Sequence, residues 1–263
     1  MSTVSEVIAC PLCRRASMEV PQPCDRCCDR FQQELEKMPS VLDLTPSSIQ
    51  RQDERHITLT KPLRTELFRS PIISFLYERL LPPLWALGLR NSGGIEAEFH
   101  LCTEFFDHNP IIIADISCGT GIIARRLAKW GQCQQVIALD YSETMLGQLQ
   151  QQMQREGLLP SKIVIIRADV EALPLAPNSI DAIYAGAAMH CWSNPMEGIR
   201  NIYQALRPGG KLFATTFLKP FPSIVFQFFS PEELRHILLT AGFCTDNIQI
   251  DTRGLYGIMK CIK

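Results

Sequence analysis

Two glycines, Gly119 and Gly121, stand in the run Ile111-Ile-Ile-Ala-Asp115-Ile-Ser117-Cys118-Gly119-Thr120-Gly121, where a β-branched stretch gives way to a turn and then to Ile122–Trp130 at helical spacing. Strand, tight turn and helix in that order can cradle a ligand. The glycines let backbone approach it closely, and the first turn of the helix offers unpaired N–H groups and a positive dipole end to a carboxylate. A second β-rich run, 135–139, ends at Asp140. That is about twenty residues beyond the glycines, where a carboxylate can take the hydroxyls of a ribose. A third, Ile163–Arg167, leads to Asp169 and Val170.

The spacing Gly119-x-Gly121-x-x-Ala124 also satisfies a dinucleotide fingerprint, so NAD competes for the same cradle. Asp115 separates the two ligands. A carboxylate at the end of the first strand repels a pyrophosphate but pairs, directly or through water, with the ammonium of a methionine moiety. The charge logic favours a sulfonium amino acid. A role for Asp115 in the turn or at the helix dipole is the plainer alternative.

His190 follows a fourth strand-like run, Ile180–Ala185. It could accept a proton from a hydroxyl, thiol or acidic carbon, or simply orient substrate; a hydrogen-bonded histidine at a loop edge is the competing reading. Tyr184 and Trp192 are second-rank candidates for the same cleft. The apolar, proline-broken stretch 217–229 suggests a substrate-facing wall that suits an apolar small molecule better than nucleic acid.

A different chemistry lies at the N-terminus. Cys10-Pro-Leu-Cys13, ten residues, then Cys24-Asp-Arg-Cys27 reads C-x2-C-x10-C-x2-C, two knuckles able to converge on one tetrahedral ion, and four thiolates suit Zn2+. Cys28 offers an alternative fourth ligand, and a set of reduced surface thiols or an opportunistic disulfide is the bland reading. With no open ligand position such a zinc would be structural, its removal destabilising the module while sparing the cofactor site.

Elements that could hold these groups follow from periodicity. Strand-like and helix-like runs alternate from residue 111 onward, which implies a parallel sheet with ligands at the C-terminal ends of its strands. An amphipathic run, 96–107, precedes the first strand. Ser230-Pro231-Glu232-Glu233 starts a late helix that Gly242 ends, and 249–251 with 256–261 form closing antiparallel strands. Between 31 and 91, repeated prolines suggest several short helices and no sheet; the stripe Ile72, Ile73, Phe75, Leu76, Leu80 and Leu81 is either packing or a lid. The division is thus a cysteine-rich module over 8–31, a helical linker or substrate lid over 32–94, and an α/β domain over 95–263.

Ala114-Asp115-Ile-Ser-Cys-Gly-Thr-Gly121, Ala138-Leu-Asp140-Tyr-Ser142, Arg167-Ala-Asp169 and Leu206-Arg-Pro-Gly-Gly-Lys211 resemble the successive motifs of class I S-adenosylmethionine-dependent methyltransferases, over roughly 111–217. The resemblance implies a doubly wound, mostly parallel, seven-stranded Rossmann-like α/β sheet. It also implies that Asp115, Ser117, Cys118, Gly119 and Gly121 border the methionine part of the cofactor. Asp140 would bind the ribose and Asp169 with Val170 the adenine, while Tyr141, Ser142, Met145 and Ala185 are further candidates for cofactor contact. Ser117 departs from the commoner glycine. Residues 185–192, with Phe68-Arg-Ser-Pro71, 75–79 and the N-terminal cysteines, resemble a subgroup of cyanobacterial and chloroplast methyltransferases, a likeness that supplies no substrate.

The 263 residues are 46% apolar and carry a net charge of −1, enough to bury a sizeable core and too balanced for a strong nucleic-acid clamp. The first residues lack a secretory signal pattern. The apolar stretch 71–89 is interrupted by Glu78, Arg79, Pro82 and Pro83, so a reducing cytoplasm and no transmembrane segment are expected. The leading expectation is a methyltransferase acting on a small, partly apolar acceptor. Ribosomal RNA is an alternative substrate, because a zinc ribbon joined to a methyltransferase domain resembles certain guanine methyltransferases. A non-catalytic cofactor-binding regulatory or assembly factor is the third reading.

Overall fold

The computed structural model describes residues 7–10, 41–46, 94–107, 110–219 and 226–263. Cys13, Cys24, Cys27 and Cys28, and the expected helices and lid of the linker from 47 to 93, lie outside the described residues.

Among the described residues eight strands form one sheet: β1 (Leu42–Asp43), β2 (Ile112–Ile116), β3 (Gln135–Asp140), β4 (Ile163–Arg167), β5 (Ile180–Ala185), β6 (Leu206–Phe217), β7 (Ile248–Arg253) and β8 (Tyr256–Ile262). Their order across the sheet is β1-β4-β3-β2-β5-β6-β8-β7, and β8 pairs antiparallel with both its neighbours while every other pairing is parallel. The chain therefore runs outward from β2 through β3 to β4, then returns to the other side of β2 at β5. The crevice at that reversal is where an open α/β sheet binds its ligand.

Among the described residues are five α-helices, α1 (Gly94–Phe106), α2 (Ile122–Trp130), α3 (Glu143–Arg155), α4 (Pro195–Ala205) and α5 (Pro231–Ala241). All five residues of β2 are buried, as a central strand covered on both faces must be. Ile112, Ala114 and Ile116 share one apolar cluster with Ile199, Ile202, Leu234 and Leu238 of α4 and α5. Ile113 joins the other, with Cys102, Ile123, Leu127, Leu146 and Leu149 of α1, α2 and α3. Alternation along one strand thus divides the helices between two layers. The expected helix start at Ser230 is a complete capping box with Glu233, a device that contributes about 1 kcal/mol.

Two expectations are corrected. The sheet has eight strands, not seven, and the extra one comes from the segment read as helices without a sheet. β1 pairs with β4 through Leu42↔Ile166 and Asp43↔Arg167, and the Asp43 carboxylate meets the Arg167 guanidinium at 2.8 Å. Two residues are too few for alternation to show. Residues 7–10 are likewise stitched to the α/β domain: Ile8 bridges Leu175, Ala9 N–H donates to the Pro174 carbonyl at 3.0 Å, and Ala176 N–H donates to that of Val7 at 2.7 Å. Among the described residues no helix is long and apolar enough to cross a membrane.

Candidate functional site

At the β2/β5 reversal lies a cavity of about 590 Å3, within the range of small-molecule and cofactor pockets. Its floor is the turn between β2 and α2. Ser117, Gly119 and Gly121 all take positive φ, at 57°, 55° and 70°. Left-handed backbone costs a non-glycine residue roughly 1–2 kcal/mol; Ser117 is tied there because its Oγ accepts the Trp192 indole N–H at 3.0 Å. Cys118 lines the same floor, and Met145 packs over Gly119, its sulfur 3.6 Å from where a Cβ would stand.

Asp140 joins two loops. Its Oδ2 accepts the Gly119 N–H and its Oδ1 the Ser142 N–H, both at 2.8 Å. Burial raises its pKa, opposed by those backbone donors. Ser142 in turn caps α3 by accepting from Met145 N–H at 3.4 Å. Tyr141 stays beside the cavity because its carbonyl accepts from Arg167 Nε at 3.2 Å while the guanidinium lies over its ring. Asp169 caps the turn Val170–Ala172 by accepting from Glu171 N–H at 3.0 Å, and with Val170 it forms the far wall.

Asp115 is 2% exposed, and its Oδ2 has no hydrogen-bond partner among the described residues. Burial pushes its carboxyl well above the usual carboxylate range; the Ala124 N–H opposes this, while the charges of Asp140 and Glu98 add to it. A buried, half-satisfied carboxylate is costly, so its persistence points to a cationic or hydrogen-bond-donating partner. The whole lining has that sign. Among the described residues, Glu98, Asp115, Asp140, Asp169 and Glu171 face the cavity against one cation, Arg125, which is already paired with Glu156. A pyrophosphate would meet repulsion here, whereas an ammonium and a sulfonium would meet attraction.

Three expected site residues lie outside the cavity wall. Gly121 is the N-terminal cap of α2, pressed on Leu149. Ala185 is buried at the end of β5, one residue before Gly186, which does line the cavity. His190 sits in the turn Met189–Cys191 at 2% exposure, its ring edge-on to Phe217 and Phe226 and its Nδ1 3.5 Å from Thr216 Oγ1. Burial lowers its pKa to about 4, so it is neutral at physiological pH. An unfolded imidazole, at 6.5, binds its proton more readily than the folded one. Stability is therefore expected to fall by about 3 kcal/mol as pH drops from 6.5 towards 4. Urea titrations across that range should show this slope, and His190→Gln should flatten it; an unchanged slope would assign the acid sensitivity to other groups.

Sequence reasoning missed Glu98, Thr215 and Tyr256, and ranked Tyr184 low. Glu98 and Tyr256, with Tyr184, form a buried acid–hydroxyl cluster in the cavity wall. A signal existed: Glu98 shares the buried face of α1 with Cys102 and Phe106, four and eight residues on, and an acid on an apolar stripe asks for an explanation.

Residues 114–214 match the family model described as a methyltransferase domain. The chain is 36% identical over 237 residues to an Arabidopsis thaliana protein named as an uncharacterised chloroplast methyltransferase, covering 83% of this chain and 64% of that protein. It is 28% identical over 168 residues to the Arabidopsis thaliana chloroplast 2-methyl-6-phytyl-1,4-hydroquinone methyltransferase, covering 61% and 46% of the two chains. The crystal structure of a (4+2)-cyclase, SpnF, superposes with a TM-score of 0.57 at 20% identity, over 64% of this chain and 80% of that one. The chain thus carries the Rossmann-like α/β fold of methyltransferases, and its matched segment, which runs from β2 into β6, holds Asp115, Asp140, Asp169 and Glu171 of the cavity lining.

Proposed function

We propose that the protein transfers a methyl group from S-adenosylmethionine to a small, partly apolar acceptor of the quinol type. The observation that carries this reading is the unpartnered Asp115 Oδ2 in an otherwise acidic cavity. The methyltransferase-domain match and the hydroquinone methyltransferase relative point the same way. Fold alone does not select a reaction, since the same fold carries a cyclase; the acidic lining of the cavity supports a cationic cofactor over one that bears a pyrophosphate.

In this reading Ser117, Cys118 and Gly119 border the methionine part, Asp115 answers its ammonium, Asp140 takes ribose hydroxyls, and Asp169 with Val170 flanks the adenine. The bound cofactor supplies a methyl group already activated on a sulfonium. The chain's contribution is to align an acceptor with that methyl and exclude water. His190, neutral and enclosed by Phe217 and Phe226 outside the cavity wall, takes no proton in this reading. Calorimetric titration with S-adenosylmethionine, S-adenosylhomocysteine and NAD tests the assignment: the first two should bind and NAD should not, and binding of NAD alone would make the protein a dehydrogenase.

We further infer that Cys10, Cys13, Cys24 and either Cys27 or Cys28 hold a structural zinc ion. The support is their spacing, together with the burial of Cys10 beside the bridge at Leu175. Among the described residues no group of three or more potential metal ligands occurs. Protein purified under reducing, metal-replete conditions should contain one zinc per chain, and Cys24→Ser should lose it. A metal-free wild-type protein would sink the inference.

A further inference from the structure

The cavity wall holds a carboxylate surrounded by hydroxyls that the cofactor assignment leaves unused. Glu98, 8% exposed on α1, accepts through Oε1 from the Tyr184 hydroxyl and from Thr215 Oγ1 at 3.1 Å, and through Oε2 from the Tyr256 hydroxyl at 2.7 Å. Tyr256 also reaches Thr215 Oγ1 at 2.7 Å, and that oxygen accepts the Ala187 N–H at 2.8 Å. Three hydroxyl protons thus serve four contacts within the cluster. When Tyr256 turns its proton to Thr215, Glu98 Oε2 is open to another donor from the cavity, which Glu98, Tyr184 and Tyr256 all line. Gly186 keeps backbone tight against this point, since a Cβ there would stand 1.9 Å from the Tyr184 oxygen.

Two further observations describe what such a donor would be. Ile95, one helical turn before Glu98, and Ile122, at the start of α2, are 41% and 44% exposed, and both line the same cavity. Large aliphatic side chains left in water around a pocket suit an apolar substituent. Asp115, whose unpartnered Oδ2 answers the cofactor's ammonium, is close enough to Glu98 to feel its charge, so the hydroxyl cluster and the methyl donor's subsite share one chamber.

Resting on the methyl-transfer reading, we propose that Glu98 is the proton acceptor for the hydroxyl of a phenolic acceptor with an apolar substituent, and that Tyr256 is the swivel that admits it. The acceptor's O–H proton passes to Glu98 Oε2. Its oxygen, or the ring carbon conjugated with it, gives an electron pair to the methyl carbon, and the carbon–sulfur bond breaks with its pair kept by sulfur. After attack from carbon, the ring C–H proton moves to the oxygen as aromaticity returns. Glu98 then releases its proton to solvent with the product.

The test is calorimetry on the full chain saturated with S-adenosylhomocysteine, titrated anaerobically with 2-methyl-1,4-hydroquinone and with its dimethyl ether. Wild type should bind the quinol about tenfold more tightly than the ether, the worth of one hydrogen bond to a charged group. Glu98→Gln should lose most of that preference, leaving ether and S-adenosylhomocysteine affinities within about twofold of wild type. Tyr256→Phe should bind the quinol at least as tightly as wild type, because the competing donor is gone; a merely structural cluster would weaken both variants alike. Equal binding of quinol and ether, a parallel loss in both variants, or loss of S-adenosylhomocysteine affinity in Glu98→Gln would each overturn the proposal. Quinol that fails to bind a protein still binding S-adenosylhomocysteine overturns it together with the acceptor class, while the cofactor assignment stands.

Discussion

Asp140→Ala is expected to weaken S-adenosylhomocysteine binding by on the order of a hundredfold, and Asp140→Asn by about tenfold. Two losses combine in the alanine variant. The ribose hydroxyls lose a charged acceptor, about 1.5–3 kcal/mol. The Gly119 and Ser142 N–H groups also lose the carboxylate that fixes the two loops against each other at 2.8 Å. Asparagine keeps the shape and one acceptor oxygen, hence the smaller effect. The empty protein should suffer less than the complex, because burial already raises the Asp140 pKa and its charge is costly there. Calorimetry of both variants beside their urea midpoints separates the two effects. If affinity falls only in step with stability, Asp140 is a loop staple and not a ligand.

What could be read from the sequence follows the length of the signal. β2, β3, β4 and β5 are short, mostly apolar runs, with Asp115 inside β2 and Asp181 inside β5 as the charged interior exceptions, and a parallel strand buried on both faces leaves that mark. The cradle was legible because its chemistry is local: Asp115, Ser117, Gly119 and Gly121 lie within seven consecutive residues. β1 escaped notice because its two residues are held by pairing with β4, a contact more than a hundred residues away in sequence. The Glu98 cluster escaped for the same reason. Tyr256 and Thr215 reach Glu98 only once β8 has paired with β6 and α1 has packed on the sheet. The place of His190 after β5 left a reacting group and a hydrogen-bonded loop-edge histidine both open, and side-chain direction, which sequence spacing does not give, turns it into an aromatic enclosure.

The largest effect on stability should come from Gly121→Ala, one methyl group at the start of α2. Gly121 has φ 70° and its N–H donates to the Cys118 carbonyl at 2.9 Å, closing the turn on which the cofactor would rest. Alanine there costs roughly 1–2 kcal/mol in left-handed backbone strain. Its Cβ would stand 2.3 Å from Leu149 Cδ1 and 3.0 Å from Cγ, and Leu149 is fully buried among Leu127, Leu146 and Ile123, with little room to withdraw. Overpacking of this kind adds about 1–3 kcal/mol. A total near 3 kcal/mol should appear as a lower urea midpoint at unchanged slope, with weaker S-adenosylhomocysteine binding as the turn is displaced. Gly147, inside α3, is the control: its Cβ would meet nothing within 4 Å, and alanine there should stabilise the protein by about 0.5–1 kcal/mol. If both substitutions are tolerated equally, the helix and the cradle are not in the close contact on which the whole arrangement of the site depends.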